Sequence, residues 1–411
     1  MRRLALLVIA LLVLPAPAAA QDEPAMVKRL AGYMRAAGPF SGAYVAEVSG
    51  GSPHAVFRWR QKTPRILASN AKLFTTTAAL SRFGVEGTLF TDVLSAGELD
   101  AEGVFRGSLY LRGGGDPTFG SRRFATRSYR GGAAVEDLAA LLADAGIQRV
   151  TGRVYGDESA FDSLRGGPDS GYGVSTWVGP LSALSFNRGL FTESGRGFQA
   201  NPPAFAAARL DAALEAAGVP VRLRPRAGLT PTDARVLASV ASPPMERLIQ
   251  LTNKPSDNFF AEVLLKDLAQ DAVGVGTTAF GARIAAAHAR RLGAPATLVD
   301  GSGLSRGNRA SPFSVVRLLS ALYRSDDYDP FVGSLPIAGQ DGTLFDRMRR
   351  GAARWRCRGK TGTLSNVSAL SGYCEARSGD NYAYSILMNG VYPPGARRLQ
   401  DRMLQAIAAL G

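Results

Sequence analysis

The sequence predicts an α+β protein: one antiparallel sheet flanked by helices and built from both chain ends, with an inserted second α/β domain. Three observations carry this reading. Strand-like segments fall near the start, Gly42 to Val48 and Ala55 to Arg60, and again near the end, Arg354 to Thr363, Ala369 to Glu375 and Tyr382 to Met388. Long amphipathic helical stretches begin at Pro244 and lie between those two groups. From about Leu89 to Val240 the texture changes to short strands, Gly-rich turns and brief helices, as a separate unit laid into the first would show.

Met1-Arg2-Arg3, the apolar run Leu4 to Leu14 and the ending Ala18-Ala19-Ala20 describe a secretory signal peptide, residues 1–20, cleaved after Ala20. The run is shorter than the roughly 20 residues that cross a bilayer. No comparable stretch follows, so the expected location is periplasmic, with no stable membrane span after cleavage. Residues 21–88 and 241–411 then form the first domain and 89–240 the insertion.

The first two strands read as a hairpin with a Gly-rich turn at Gly50-Gly51. Ser69 opens a helix that ends near Gly84. Inside the insertion, Ser108 to Leu111 and Arg149 to Tyr155 read as strands, Val135 to Ala145 and Pro203 to Ala217 as helices. Ala396 to Leu410 reads as a closing helix.

At 46% hydrophobic and 20% charged residues, the composition is that of a globular protein long enough for two or three domains. Without Arg2 and Arg3 the 48 basic residues fall to 46 against 34 acids, a charge of +12. Such a balance favours anionic partners. No compact Lys/Arg run interleaves with aromatics, so nucleic acid is not expected, and the dispersed basic residues read as solvated surface. Cys357 and Cys374 form neither a C-x-x-C pair nor a Cys/His cluster, which argues against zinc. In an exported chain they are candidates for a disulfide, facing each other if a hairpin turns at Ser365-Asn366.

Three short motifs appear in order: Ser69-Asn70-Ala71-Lys72, Ser256-Asp257-Asn258 and Lys360-Thr361-Gly362-Thr363. An S-x-x-K pair alone arises about once or twice by chance in a chain this long. Here only six lysines exist, at 28, 62, 72, 254, 266 and 360, and only Lys72 has a serine three residues before it. Ser69 and Lys72 lie one helical turn apart on one face. A serine hydroxyl needs an adjacent base, and lysine serves as one once burial and a neighbouring cation, for which Lys360 is the candidate, lower its pKa. Ser256 is placed to relay a proton to the leaving amine, Asn258 to hold a substrate amide, and Lys360 to attract a terminal carboxylate. The N–H groups of Ser69 and Thr363 are candidates for an oxyanion hole.

Rival motifs fail on order. Gly303-Leu304-Ser305-Arg306-Gly307 matches a nucleophile elbow, but that design needs a histidine downstream, and His54 and His288 are both upstream. His54 is read in a turn and His288 on an Ala-rich helix, both structural. Gly113-Gly114-Gly115 lacks a following Gly-Lys-Ser/Thr and is a turn, not a phosphate loop.

Taken together these residues resemble the low-molecular-mass class C penicillin-binding proteins, the D-alanyl-D-alanine carboxypeptidase/endopeptidase family. The similarity extends through Leu109-Tyr110-Leu111 with Gly115-Asp116-Pro117, Gly156-Asp157, Ser182-Ala183-Leu184-Ser185, Asp300-Gly301-Ser302-Gly303-Leu304-Ser305-Arg306, and Asp341-Gly342-Thr343-Leu344. It implies a penicillin-binding/β-lactamase-like catalytic domain, Ser69 as acylated nucleophile, Lys72 as base, and Ser256, Asn258 and Lys360 completing the site. Thr361 and Thr363 would contact substrate, as would Asp157 and Arg306 unless these two only brace turns. Peptidoglycan stem peptides and cross-bridges would be substrates, β-lactam antibiotics covalent inhibitors, and no metal or cofactor is called for. Ser69 and Ser256 lie 187 residues apart, against roughly 60 in class A β-lactamases, which argues against a β-lactam-hydrolysing enzyme. A wall-binding scaffold without turnover is the other alternative. The family's nested β-rich subdomain is expected to be reduced or absent, since only Arg188 to Ala200 separates Asn187 from the next helix.

Overall fold

The computed structural model describes residues 22–411, so the segment read as a signal peptide lies outside the described residues. The first element is a helix that the sequence reading passed over, Glu23–Ala36. The Asp22 carboxylate accepts from Ala25 N at 2.8 Å, Pro24 sits in the first turn, and Met26, Leu30 and Met34 make one buried stripe.

Five antiparallel strands form the main sheet, in the order Cys357–Leu364, Val367–Glu375, Asn381–Asn389, Ser41–Glu47, His54–Trp59. Both chain ends thus supply it, with Ser41 opposite Met388. Its two interior C-terminal strands are buried on both faces, which is why they read as continuous apolar runs rather than alternating ones. Tyr384, Ile386 and Met388 pack with Met26, Leu30, Met403 and Ile407 of the terminal helices. Ala383 and Leu387 join the core that holds Phe74, Val316 and Leu319. His54 opens a strand rather than lying in a turn, because its segment pairs with Glu47.

A second, mixed sheet of seven strands draws on Phe90 to Ala241. Its strand Arg149–Asp157 runs parallel to both Leu109–Gly113 and Val221–Ala227. Helices Val135–Asp144 and Pro202–Ala216 cover one face, setting Leu138, Leu142, Leu210 and Leu214 against Val93, Leu111 and Val154. Between Asn187 and Pro202 the chain makes only a short loop, closed by a bridge between Leu190 and Phe198.

Candidate active site

A single 3₁₀ turn, Ala68–Asn70, leads into the helix Ala71–Phe83, so Ser69 and Lys72 stand one turn apart. The turn is wedged in place. Ala68 has a left-handed φ of 47°, and a Cβ on Gly303 would come within 1.9 Å of Ala68 O. Lys72 is fully buried. Its Nζ donates to Ser69 Oγ at 3.2 Å, Asn258 Oδ1 at 2.7 Å and Ser302 O at 2.6 Å.

The second motif straddles the start of the helix Asn258–Val273. Asp257 caps it by accepting from Phe260 N at 3.1 Å and is itself held by Arg188, whose Nη2 lies 3.1 Å from Asp257 Oδ1. Just before the cap, Ser256 takes a φ of 63°, which turns its hydroxyl to Lys360 Nζ at 2.7 Å. Lys360, also fully buried, donates to Thr361 O at 3.0 Å, and Asn70 Nδ2 donates to Lys360 O at 2.9 Å.

Lys360 lies on the edge strand of the sheet, and the turn at Ser365-Asn366 fixes what that edge offers. Leu364 faces Val367 across the turn, making them the closing pair. Alternation then directs the N–H groups of Thr363, Thr361 and Gly359 away from the neighbouring strand. Gly359 N accordingly reaches Pro336 O at 2.9 Å, and Thr363 lines the same cleft as Ser69. A Cβ on Gly362 would sit 3.0 Å from Ser69 N, so a side chain there would crowd Ser69. At the far end of the same ladder Cys357 faces Cys374, and the two are joined by a disulfide.

Burial pulls Lys72 down to about 8 from the ordinary 10.5, against the opposing pull of Glu262, Asp257 and Asp300. Burial, and after it the charge of Lys72, also holds Lys360 well below its ordinary value, so the two buried amines disfavour each other's charge. Glu262, one turn after Asn258, accepts from Gly301 N at 3.1 Å and Ser302 N at 2.8 Å through Oε1, while buried Oε2 has no partner. Burial first, then Asp300, pushes Glu262 up to about 7. Asp300 is raised by burial too, although it accepts from Gly303 N at 2.7 Å and Ser305 N at 2.6 Å. The apparent nucleophile elbow is therefore the loop that presents Ser302 O to Lys72.

The adjoining cleft, of about 430 Å³, is lined by Ser69, Ser256, Asn258, Thr361 and Thr363 among others. The sequence reading missed Trp177, Arg347 and Arg397 on its walls and gave Thr343 no role. Arg397 Nη2 donates to Thr363 Oγ1 at 3.0 Å, Thr361 Oγ1 to Thr343 Oγ1 at 2.7 Å, and Asn258 Nδ2 to Trp177 O at 3.1 Å. Two expected substrate contacts are otherwise engaged. The Asp157 carboxylate is buried in the inserted domain, where it accepts from Ser159 N at 2.9 Å and Thr230 N at 2.8 Å. Arg306 braces the hairpin turn, donating to Ser365 O at 2.5 Å and Asn366 Oδ1 at 3.3 Å, beside the cleft residues Leu304 and Leu364.

This sheet, its flanking helices and its inserted domain make up the penicillin-binding fold. Penicillin binding protein 4 (dacB) from Haemophilus influenzae superposes with a TM-score of 0.74 at 20% identity, over 92% of this chain and 99% of that one. A predatory peptidoglycan endopeptidase from Bdellovibrio bacteriovorus does so with a TM-score of 0.58 at 16% identity, over 91% and 93%. The chain belongs to the D-Ala-D-Ala carboxypeptidase 3 (S13) family, whose model matches residues 27–196 and 197–410, and it is thus a low-molecular-mass class C penicillin-binding protein and a peptidase. A D-alanyl-D-alanine carboxypeptidase from Actinomadura sp. (strain R39) is 30% identical over 83% of this chain and 76% of its own length. Carboxypeptidase DacB of Mycolicibacterium smegmatis is 33% identical over 86% and 78%.

Proposed function

We propose that the protein is an exported serine D-alanyl-D-alanine carboxypeptidase and cross-bridge endopeptidase of peptidoglycan, working through a Ser69 acyl-enzyme and inhibited covalently by penicillins. The observation that carries this is the 3.2 Å approach of Lys72 Nζ, on a fully buried lysine, to Ser69 Oγ. Neutral Lys72 takes the Ser69 proton as Oγ attacks the penultimate D-Ala carbonyl. The oxyanion forms between the N–H groups of Ser69 and Thr363. As the C–N bond breaks, the departing amine takes a proton through Lys72 or through Ser256 beside Lys360. Water, deprotonated by the same base, then splits the ester and restores Ser69. The substrate's terminal carboxylate enters against Thr361, Thr363 and Arg397. Its charge favours the cationic form of Lys360, and that cation pushes Lys72 towards its neutral, basic form.

Fluorescent penicillin labelling and mass spectrometry of muropeptides, monomeric and cross-linked, test this reading together. Persistent label on Ser69, lost in Ser69→Ala, with release of D-Ala or cleavage of cross-links, is expected. Absence of both label and product would overturn it, and rapid turnover of the label would favour a β-lactam-hydrolysing enzyme.

A further inference from the structure

Away from the cleft, the inserted domain gathers arginines that the sequence disperses. Arg149 and Arg153 lie on the strand Arg149–Asp157, and Arg222, Arg224 and Arg226 on its neighbour Val221–Ala227. The register sets Val150 beside Val221, Arg153 beside Leu223 and Tyr155 beside Arg226. Neighbouring strands run about 4.8 Å apart, so the five side chains share one strip along the sheet edge. Arg149, Arg222, Arg224 and Arg226 are exposed, and none of the five forms an ion pair among the described residues.

The strip also has an aromatic element. Tyr155 stacks on Tyr110 with ring centres 5.0 Å apart and planes 11° from parallel, and the Arg153 guanidinium lies 5.7 Å from the Tyr155 ring centre. Leu109, Leu111 and Val154 alternate with these tyrosines into the helix-covered core, so both rings lie on the opposite, half-open face. Arg153 Nη1 donates to Arg224 O at 3.2 Å, tying the inner row to the edge row. Of the nearby acids, Asp92 is engaged by Arg112 at 3.5 Å and by Ser239 at 2.7 Å, while Asp233 borders Tyr110.

A basic edge strand with a proline also discourages sheet extension, and Pro225 suits that role. Edge protection, however, calls for neither a stacked aromatic pair nor a second row of arginines on the inner strand. Stacked tyrosines offer flat apolar faces to sugar rings, and guanidinium forks match carboxylate and phosphate groups in two-pronged geometry. We propose that Tyr110, Tyr155, Arg153 and the edge arginines form a second binding site, for anionic cell-wall glycan, which holds the polymer while its peptides are cut in the Ser69 cleft. This rests on the peptidoglycan reading above. The anionic groups come either from peptidoglycan carboxylates or from phosphodiester polymers attached to it.

Binding of the Ser69→Ala protein to purified wall sacculi is the test, with sacculi used intact and after removal of phosphodiester polymers. The comparison is with a variant also carrying Arg222→Gln, Arg224→Gln and Arg226→Gln, and with one carrying lysine at those positions. Thermal unfolding checks that all three are folded. Salt-sensitive binding is expected, lost in the glutamine variant and largely kept in the lysine variant. The slope of log affinity against log salt should become shallower by roughly one per arginine removed. Loss of binding on stripping assigns the phosphodiester, and retention assigns the carboxylates. Equal binding by the glutamine variant, with or without new self-association, overturns the proposal. So does preferential binding to phosphatidylglycerol vesicles. Turnover of soluble muropeptides by protein with Ser69 intact is read separately; its absence would sink the peptidase reading while leaving the binding result standing.

Discussion

Lys72 Nζ lies 3.2 Å from Ser69 Oγ and 2.7 Å from Asn258 Oδ1, so one buried amine joins the proposed nucleophile to the side chain proposed to hold the substrate amide. Because the amine sits near a pKa of about 8, the pH of the medium decides how much of it is base.

Acylation by penicillin should therefore rise with pH through about 8 and level off above it. At pH 7 about one lysine in ten is neutral, given one unit between pH and pKa. Stopped-flow labelling from pH 6 to about 10 measures this, and a flat profile would contradict it. The sign for stability follows from the same depression. Between about 8 and 10.5 the unfolded chain holds the proton more tightly than the native site does, so the native state gains stability as pH rises through that window and bears the full cost of burial below it.

Glu262→Gln should move the acid limb of that profile to lower pH. The amide oxygen can still accept from Gly301 N and Ser302 N, which preserves the loop. Removing the carboxylate takes away the largest of the charges that favour the Lys72 ammonium. The rate at pH 7.5, where the carboxylate is mostly ionised, should rise roughly twofold or more relative to its own plateau. A uniform fall at every pH would mean that Glu262 only supports the loop.

Arg397→Ala should raise KM for a D-Ala-terminated peptide by about tenfold and change kcat less, as expected when a charge-assisted hydrogen bond to the carboxylate is lost. Steady-state kinetics on an amidated peptide gives the control, since that substrate should not distinguish the variant from the wild type. Equal effects on both peptides would count against the carboxylate contact.

Cys357→Ala with Cys374→Ala should lower stability by about 3 kcal/mol, the loop-closure contribution for a short cross-link. The two cysteines are 17 residues apart and close the ladder that carries Lys360. Thermal unfolding with and without reductant should show wild type falling to the level of the variant.

Local features of the site were legible in the sequence; features made by distant packing were not. Ser69 and Lys72 announce themselves by helical spacing, and the turn at Ser365-Asn366 carried enough information to place Cys357 opposite Cys374. Glu262 had a signal that went unused, its position one turn after Asn258 on the same helix face. Arg397 and Trp177 had none, because they reach the cleft from a terminal helix and an inserted loop far away in sequence. The helix Glu23–Ala36 was overlooked although Asp22, Pro24 and the spacing of Met26, Leu30 and Met34 mark it. Asp157 and Arg306 stand between two roles in the sequence, substrate contact or turn brace, because a motif position does not show where a side chain makes its hydrogen bonds; here both satisfy backbone groups of a loop or turn.

The pairing of Ser41 with Met388 has a consequence for synthesis. The strand that emerges early from the ribosome must wait for interior partners made near the end, and Lys360 arrives just before them. Native contacts this distant in sequence make folding slow and late. A truncated or still-growing chain therefore has a serine and a lysine one turn apart but no finished cleft around them. Activity against the wall becomes a property of the completed chain alone.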